Sequence, residues 1–283
     1  MKRYLGLIFG LLLISSFVSF SGCIGGGPAD SNSVSANNQP VTIKISGSTT
    51  VLPIAKEAAK KFMMKNPNYN LEVSGGGSGF GVKQVAEGLV DIGMASRDLK
   101  AEEKEKYPNL ITHSIALDGV AVVVHPENPV SDLTQEQVKK IFSGEITNWK
   151  EVGGPDAPIN VYTRDEESGT REVFWEKVLG KGKITEKATV VNSNGAMKTA
   201  VKQDKNGIGY LSIGYVDSTI KAVKFNGVEP TEENVKKGIY KVSRALNMIT
   251  NGEPSPAVQA YLDYVLSPEG QEIVREKGYL PIK

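Results

Sequence analysis

The sequence is poor in the residues that most chemistry needs. Its 283 residues include one cysteine, Cys23, and two histidines, His113 and His125. A single thiol excludes an intramolecular disulfide framework. Neither histidine stands in a motif with serine and carboxylate partners, and no His, Cys and carboxylate spacing reads as a metal site. No catalytic residue, metal or cofactor is therefore assigned. An excess of charge of one sign is also missing: 33 Lys and Arg against 32 Asp and Glu leave a net charge of +1. Without a basic surplus to release counterions, nucleic acid is not an expected partner. Nucleotide fingerprints are absent too. The stretch Gly75-Gly76-Gly77-Ser78-Gly79-Phe80-Gly81 offers no Gly-x-Gly-x-x-Gly, and Val82-Lys83 stands where a P-loop needs Lys-Ser/Thr. Phe80 likewise breaks Gly-x-Ser-x-Gly around Ser78.

What remains is an ordinary folding composition, 40% apolar and 23% charged, long enough for a sizeable core in one or two domains. Lys2-Arg3 and the apolar run Leu5–Phe20 read as a secretory signal over residues 1–22. Residues 23–40, rich in Gly, Ser, Asn and Pro, read as a flexible tether. The folded part is expected to begin at Val41.

From there strands alternate with helices, the pattern of an α/β protein with mainly parallel sheets. Val41–Ile45 alternates as a strand, Ser46-Gly47-Ser48-Thr49-Thr50 breaks it, and a helix follows with Val51, Leu52, Ala55, Ala58, Ala59, Phe62 and Met63 as its apolar stripe. Leu71–Val73 leads through the Gly-rich turn into a second helix, and Ile159–Tyr162 leads through Arg164-Asp165-Glu166-Glu167-Ser168-Gly169-Thr170 into a third. Asp91–Ser96, Ile111–Leu117, Val120–Val124, Ile208–Tyr215, Ile220–Phe225 and Ile239–Ile249 read as further strands, and Pro256–Lys277 as a terminal helix. Three helix starts thus carry small hydroxylated residues and glycine. Such ends hold unpaired N–H groups and roughly half a positive charge, so they receive anions. Arg164 adds a planar, permanently charged fork suited to a tetrahedral oxyanion. In parallel sheets these ends gather beyond the strand termini, so the three are predicted to converge.

Taken in series, several stretches resemble the phosphate-binding proteins of ABC phosphate importers. They are Gly47–Thr50, Gly75–Gln84, Asp91–Arg97, Asp118–Val124, Ile141–Trp149, Arg164–Thr170 and Ser267–Gln271. The resemblance implies a two-lobed type II periplasmic-binding-protein fold, two α/β lobes joined by crossover hinge strands. Lobe one is expected to span 41–119 plus 227–283 and lobe two 120–226, with Val120–Val124 and Ile220–Phe225 as the crossovers. It implies capture of inorganic phosphate by Thr49, Thr50, Ser78, Arg164, Ser168, Gly169 and Thr170, and delivery to an ABC transporter permease in the membrane. A monomer is expected. Cys23 resembles the lipidated cysteine of bacterial-type lipoproteins, which implies an anchor on the outer face of the cell membrane.

One position departs from the family. Arg97 stands where members carry the carboxylate that accepts the phosphate's proton and repels sulfate. Asp118 is the preferred replacement, with Asp98 second, and Arg97 is expected either as a second cation for the ligand or as a partner of Asp118. The other readings are binding of another tetrahedral oxyanion (sulfate, molybdate or tungstate) and a phosphate-sensing surface lipoprotein; an exported phosphatase is disfavoured.

Overall fold

The computed structural model describes residues 40–282, so the expected signal peptide, Cys23 and all of the tether but Pro40 lie outside the described residues. β1 (Val41–Gly47) pairs in parallel with β2 (Tyr69–Gly75) on one side and β3 (Ile92–Ala95) on the other. The alternation read in β1 puts Ile43 and Ile45 inside. α1 (Leu52–Lys65) and α2 (Ser78–Ala86) connect these strands, and α3 (Ala101–Lys106) follows β3. α1 buries Ile54, Ala55, Ala58, Ala59 and Phe62, a stripe at helical spacing. Phe62 packs edge-on against Tyr69 and Tyr261.

β4 (Leu110–Val124) is one strand of 15 residues, where two runs separated by Asp118-Gly119 were expected. Its first part pairs antiparallel with β11 (Ser243–Asn251), and Val120–Val124 pair antiparallel with β8 (Gly207–Ser212). Asp118-Gly119 does not break it because its partner continues alongside; a Cβ on Gly119 would lie 2.2 Å from Ile213 Cδ1. β4 therefore serves two cores. One gathers Ile43, Ile45, Phe62, Ile115, Leu246, Tyr261 and Ile273. The other gathers Val120, Val122, Phe142, Trp149, Phe174, Ile208 and Tyr210.

The second core is built by β5 (Asp132–Leu133), α4 (Gln135–Ser143), β6 (Asn160–Arg164), α5 (Gly169–Lys177) and β8. β7 (Thr189–Val191) and α6 (Asn194–Gln203) belong to a smaller cluster, in which Met197 and Val201 meet Ala121, Val123 and Leu211. β6 runs parallel to both β7 and β8. Thr134 caps α4 by accepting from Gln137 N, and Gly144 closes it with φ +85°, a conformation that suits glycine at a helix end. Phe174 stacks on Tyr210 with ring centroids 4.0 Å apart, and Phe142 meets Phe174 edge-on at 4.8 Å.

The return path differs from expectation. Ile220–Phe225 is not a crossover strand but two short ones, β9 (Lys221–Ala222) on β4 and β10 (Lys224–Phe225) on β5. Beyond a turn at Asn226 and Gly227, both with positive φ, α7 (Glu232–Lys236) follows. Val235, Tyr240 and Val242 all pack into the second core. That packing moves the return from the expected 226/227 to the start of β11, where Val120 N donates to Val242 O at 2.8 Å. The terminal helix is also divided, into α8 (Pro256–Leu266) and α9 (Pro268–Glu276). Ser267 ends the first and caps the second, because a residue before proline is driven out of helical geometry. The main sheet runs β2-β1-β3-β11-β4-β8-β6-β7, with β9 paired to β4.

Candidate functional site

Four helix N-termini meet between the two cores. Ahead of α1, Ser48 Oγ accepts from Thr50 N and Val51 N at 3.2 and 3.4 Å, which sets Thr49 and Thr50 at the helix entry. At α2, Gly77 adopts φ +101°, and buried Ser78 follows; its hydroxyl accepts from Ser96 N at 3.0 Å. At α5, Ser168 Oγ accepts from Arg171 N at 3.1 Å, and Gly169 and Thr170 are buried behind it. At α6, Ser193 Oγ accepts from Ala196 N at 3.0 Å, followed by fully buried Asn194.

These ends touch across the seam. Thr50 Oγ1 and Thr170 Oγ1 are 3.3 Å apart. Asn194 Nδ2 donates to Thr50 Oγ1 at 2.8 Å and to Thr49 Oγ1 at 3.3 Å. A Cβ on Gly169 would lie 2.3 Å from Ser78 Oγ, so only glycine allows this approach. At the rim, Gly79 N donates to Glu167 O at 3.0 Å.

Arg164 ends β6 at 2% exposure. The stacked Tyr210 locks its backbone, since Arg164 N donates to Tyr210 Oη at 3.0 Å. Its Nε donates to Val191 O at 3.1 Å and its Nη2 to Asn192 O at 3.3 Å, while Nη1 is buried without a partner. Burial lowers the guanidinium below its ordinary value, and the nearby charge of Arg244 adds to that. The group stays cationic all the same.

Asp118 is buried, and Arg244 is its register partner across the β4–β11 ladder. Arg244 Nε and Nη2 donate to Asp118 Oδ2 at 3.0 and 2.8 Å, and Ser212 Oγ donates to Oδ1 at 2.9 Å. Burial pushes the Asp118 carboxyl up, against Arg244, Ser212 and the Gly119 backbone, which all hold it down. The same guanidinium reaches the helix ends: Nη1 donates to Thr170 Oγ1 at 2.9 Å and Nη2 to Thr50 Oγ1 at 3.2 Å.

The structure thus brings together Thr49, Thr50, Ser78, Asp118, Arg164, Ser168, Gly169 and Thr170. It does not bring Arg97 in as expected. Both terminal nitrogens of Arg97 engage the Glu103 carboxylate at 2.7 Å, and Nη1 also donates to Asp98 O. A fork held by a carboxylate on its own side is neither a spare cation nor the partner of Asp118. Arg244 takes the place expected of Arg97.

Arg244, Asn194 and Ser212 are the residues that sequence reasoning missed. Two of them left a signal. Arg244 is a charge inside an apolar strand, and Asn192-Ser193-Asn194-Gly195 repeats the strand, small polar turn and helix pattern of the other three helix starts.

Within the site, two guanidiniums stand against the buried Asp118 carboxylate and the partly exposed Asp165 carboxylate, 4.0 Å from Arg164 Nε, and four helix starts add partial positive charge that favours a buried anion. The two histidines lie apart from it: His113 Nε2 pairs with Thr250 Oγ1, and His125 Nδ1 accepts from Glu127 N. Among the described residues no group of three or more His, Cys, Asp or Glu could hold a metal.

Residues 33–269 match the model of a PBP superfamily domain. The chain is 37% identical to the phosphate-binding protein PstS of Bacillus subtilis (strain 168), across 96% of this chain and 93% of that one. It is 32% identical to the phosphate-binding protein PstS of Borreliella burgdorferi, across 85% and 90%. Among solved structures it resembles one from Clostridium perfringens, described as a phosphate ABC transporter substrate-binding protein with bound phosphate. That likeness has a TM-score of 0.82 at 43% identity and covers 86% of this chain and all of that one. An ABC-type phosphate transport receptor from Vibrio cholerae gives a TM-score of 0.71 at 37% identity, covering 85% and 99%. With a family model over most of its length and this identity to curated relatives, the chain belongs to the PBP superfamily and, within it, to the phosphate-binding protein family.

Proposed function

We propose that the protein captures inorganic phosphate between its two α/β halves and delivers it to an ABC import permease. It is a binding protein and not an enzyme. The observation that carries the reading is Arg164 Nη1, a buried cationic donor with no partner beside converging helix N-termini. A buried donor left unpaired costs about 1–3 kcal/mol, and more on a charged group, which an oxyanion would remove. Thr49, Thr50, Ser78, Ser168, Gly169 and Thr170 then supply hydroxyl and backbone donors around the ligand. Both the B. subtilis and the B. burgdorferi relatives carry the phosphate-binding name, which favours phosphate over sulfate or molybdate. No helix among the described residues is long and apolar enough to cross a membrane. Anchoring through Cys23, on the outer face of the cell membrane, completes the proposal, with the folded part working as a monomer.

Titration calorimetry of the chain with phosphate, arsenate, sulfate and molybdate tests the reading. Phosphate and arsenate are expected to bind at micromolar or tighter levels, about −8 kcal/mol or better. Arg164→Ala is expected to weaken phosphate by about a hundredfold or more while the unfolding transition survives. Near-normal binding in that variant removes Arg164 from the site, and preference for sulfate or molybdate overturns the choice of ligand.

A further inference from the structure

We propose that Asn194 is a positioning residue of the binding site, acting on the ligand through Thr49 and Thr50 rather than by touching it. The inference rests on the phosphate reading and adds to it the residue through which the second half sets the threonines of the first.

Asn194 opens α6, which packs through Met197 and Val201 against Ala121, Val123 and Leu211 in the second half. Thr49 and Thr50 stand at the entry of α1, whose apolar stripe belongs to the first core. Asn194 is fully buried, and the orientation of its amide is fixed from behind. Ser212 N reaches it at 3.2 Å, and a backbone N–H can only donate, so that end of the amide is the oxygen. The nitrogen end therefore faces the threonines. Its two protons are divided, one to Thr50 Oγ1 at 2.8 Å and the other to Thr49 Oγ1 at 3.3 Å. Asn194 N also points at Thr49 Oγ1, at 3.5 Å. With both amide protons engaged, Asn194 has no side-chain donor left for an oxyanion.

The backbones of the two threonines are already held by phenols. Tyr215 Oη donates to Thr49 O at 2.8 Å and Tyr279 Oη to Thr50 O at 2.9 Å. What remains to be set is the direction of the hydroxyls. Thr50 Oγ1 accepts from Asn194 Nδ2 and from Arg244 Nη2, so both its lone pairs are filled. Its single proton then goes to Thr170 Oγ1, 3.3 Å away at the start of α5. Without the Asn194 amide one lone pair opens, the hydroxyl can turn, and a chain of contacts from α6 through α1 to α5 is broken. These bonds cross from one half to the other, so their loss speeds release more than it slows capture.

A double-mutant cycle on the full chain in detergent, read by phosphate calorimetry and stopped-flow release kinetics, tests the proposal. Asn194→Ala is expected to cost at least about tenfold in affinity, mostly as faster release. In a Thr50→Ala background the same change should cost less than about threefold. In Thr50→Ser, which keeps the hydroxyl, it should cost nearly the full amount. Coupling to Thr49 should be weaker, since that bond is longer. A merely structural Asn194 would cost the same in every background and show chiefly in the unliganded unfolding temperature; that result overturns the proposal. If Asn194→Ala fails to fold, Asn194→Asp takes its place, having the same shape and still accepting from Ser212 N. Its cost should again shrink when Thr50 is alanine, and an undiminished cost refutes the inference. Should wild type bind sulfate but not phosphate, the phosphate reading fails, while the same cycle with sulfate still decides Asn194. If neither anion binds, both fall.

Discussion

At Gly169 one methyl group decides whether the two halves can meet. A Cβ there would lie 2.3 Å from Ser78 Oγ and 2.9 Å from Ser96 Oγ, both side chains of the opposite half. Alanine is the better helix former, so Gly169→Ala should not harm α5 itself. It is expected to weaken phosphate by about tenfold or more by holding the cleft ajar, with the unliganded unfolding temperature unchanged, as calorimetry and thermal melts would read. Unchanged affinity would mean that the two serines swing aside. The same scale shows where sequence reasoning succeeds and fails. Arg164 and Ser168 are legible because they belong to one contiguous stretch, and a cap needs only neighbours along the chain. Arg97 misleads because its partner Glu103 is equally local, yet nothing in the spacing ranks that pairing above one with Asp118. The carboxylate won at 2.7 Å on both terminal nitrogens.

At the scale of elements, helix starts make contacts that lock the halves together. Lys100, just ahead of α3, pairs with Glu172 in the first turn of α5 at 3.2 Å. The two side chains keep 31% and 14% of their exposure, so the pair is partly screened and worth about 0.2–1 kcal/mol. Lys100→Ala is expected to weaken phosphate by up to about fivefold at low salt, and the difference should vanish at high salt. Calorimetry at two ionic strengths checks this; a loss that persists in salt would mean Lys100 acts through packing. The helix starts at α1, α2 and α5 were readable because each follows a strand and a small hydroxylated turn. The division of the terminal helix at Ser267-Pro268 was readable in principle from the proline. The short ladders of β9 and β10 were not, since an apolar run of that length fits a crossover equally well.

For the whole molecule, a ligand that binds only the folded chain stabilises it by mass action. Phosphate at a hundred times its dissociation constant is expected to add about 2.7 kcal/mol. For a chain of this size that raises the melting temperature by roughly 5–10 °C. The shift should be absent in Arg164→Ala and present for arsenate, and differential scanning fluorimetry would read it directly. A shift of equal size in Arg164→Ala would place the stabilising ion elsewhere.

The sequence by itself determined the alternation of strand and helix, the hydroxylated helix starts, and the place of Arg164 just ahead of one of them. Each depends on residues within one turn or one strand of one another. Only the tertiary structure decided which cation faces Asp118 and where the chain returns between the cores. Asp118 and Arg244 stand 126 positions apart and meet because β11 lies antiparallel to β4 in a register that sets them opposite each other. That register follows from the buried faces of both strands, so no single stretch of sequence carries it. The return at Val242 follows in the same way. Val235, Tyr240 and Val242 bury their apolar surface in the second core, and the chain cannot cross until they have done so.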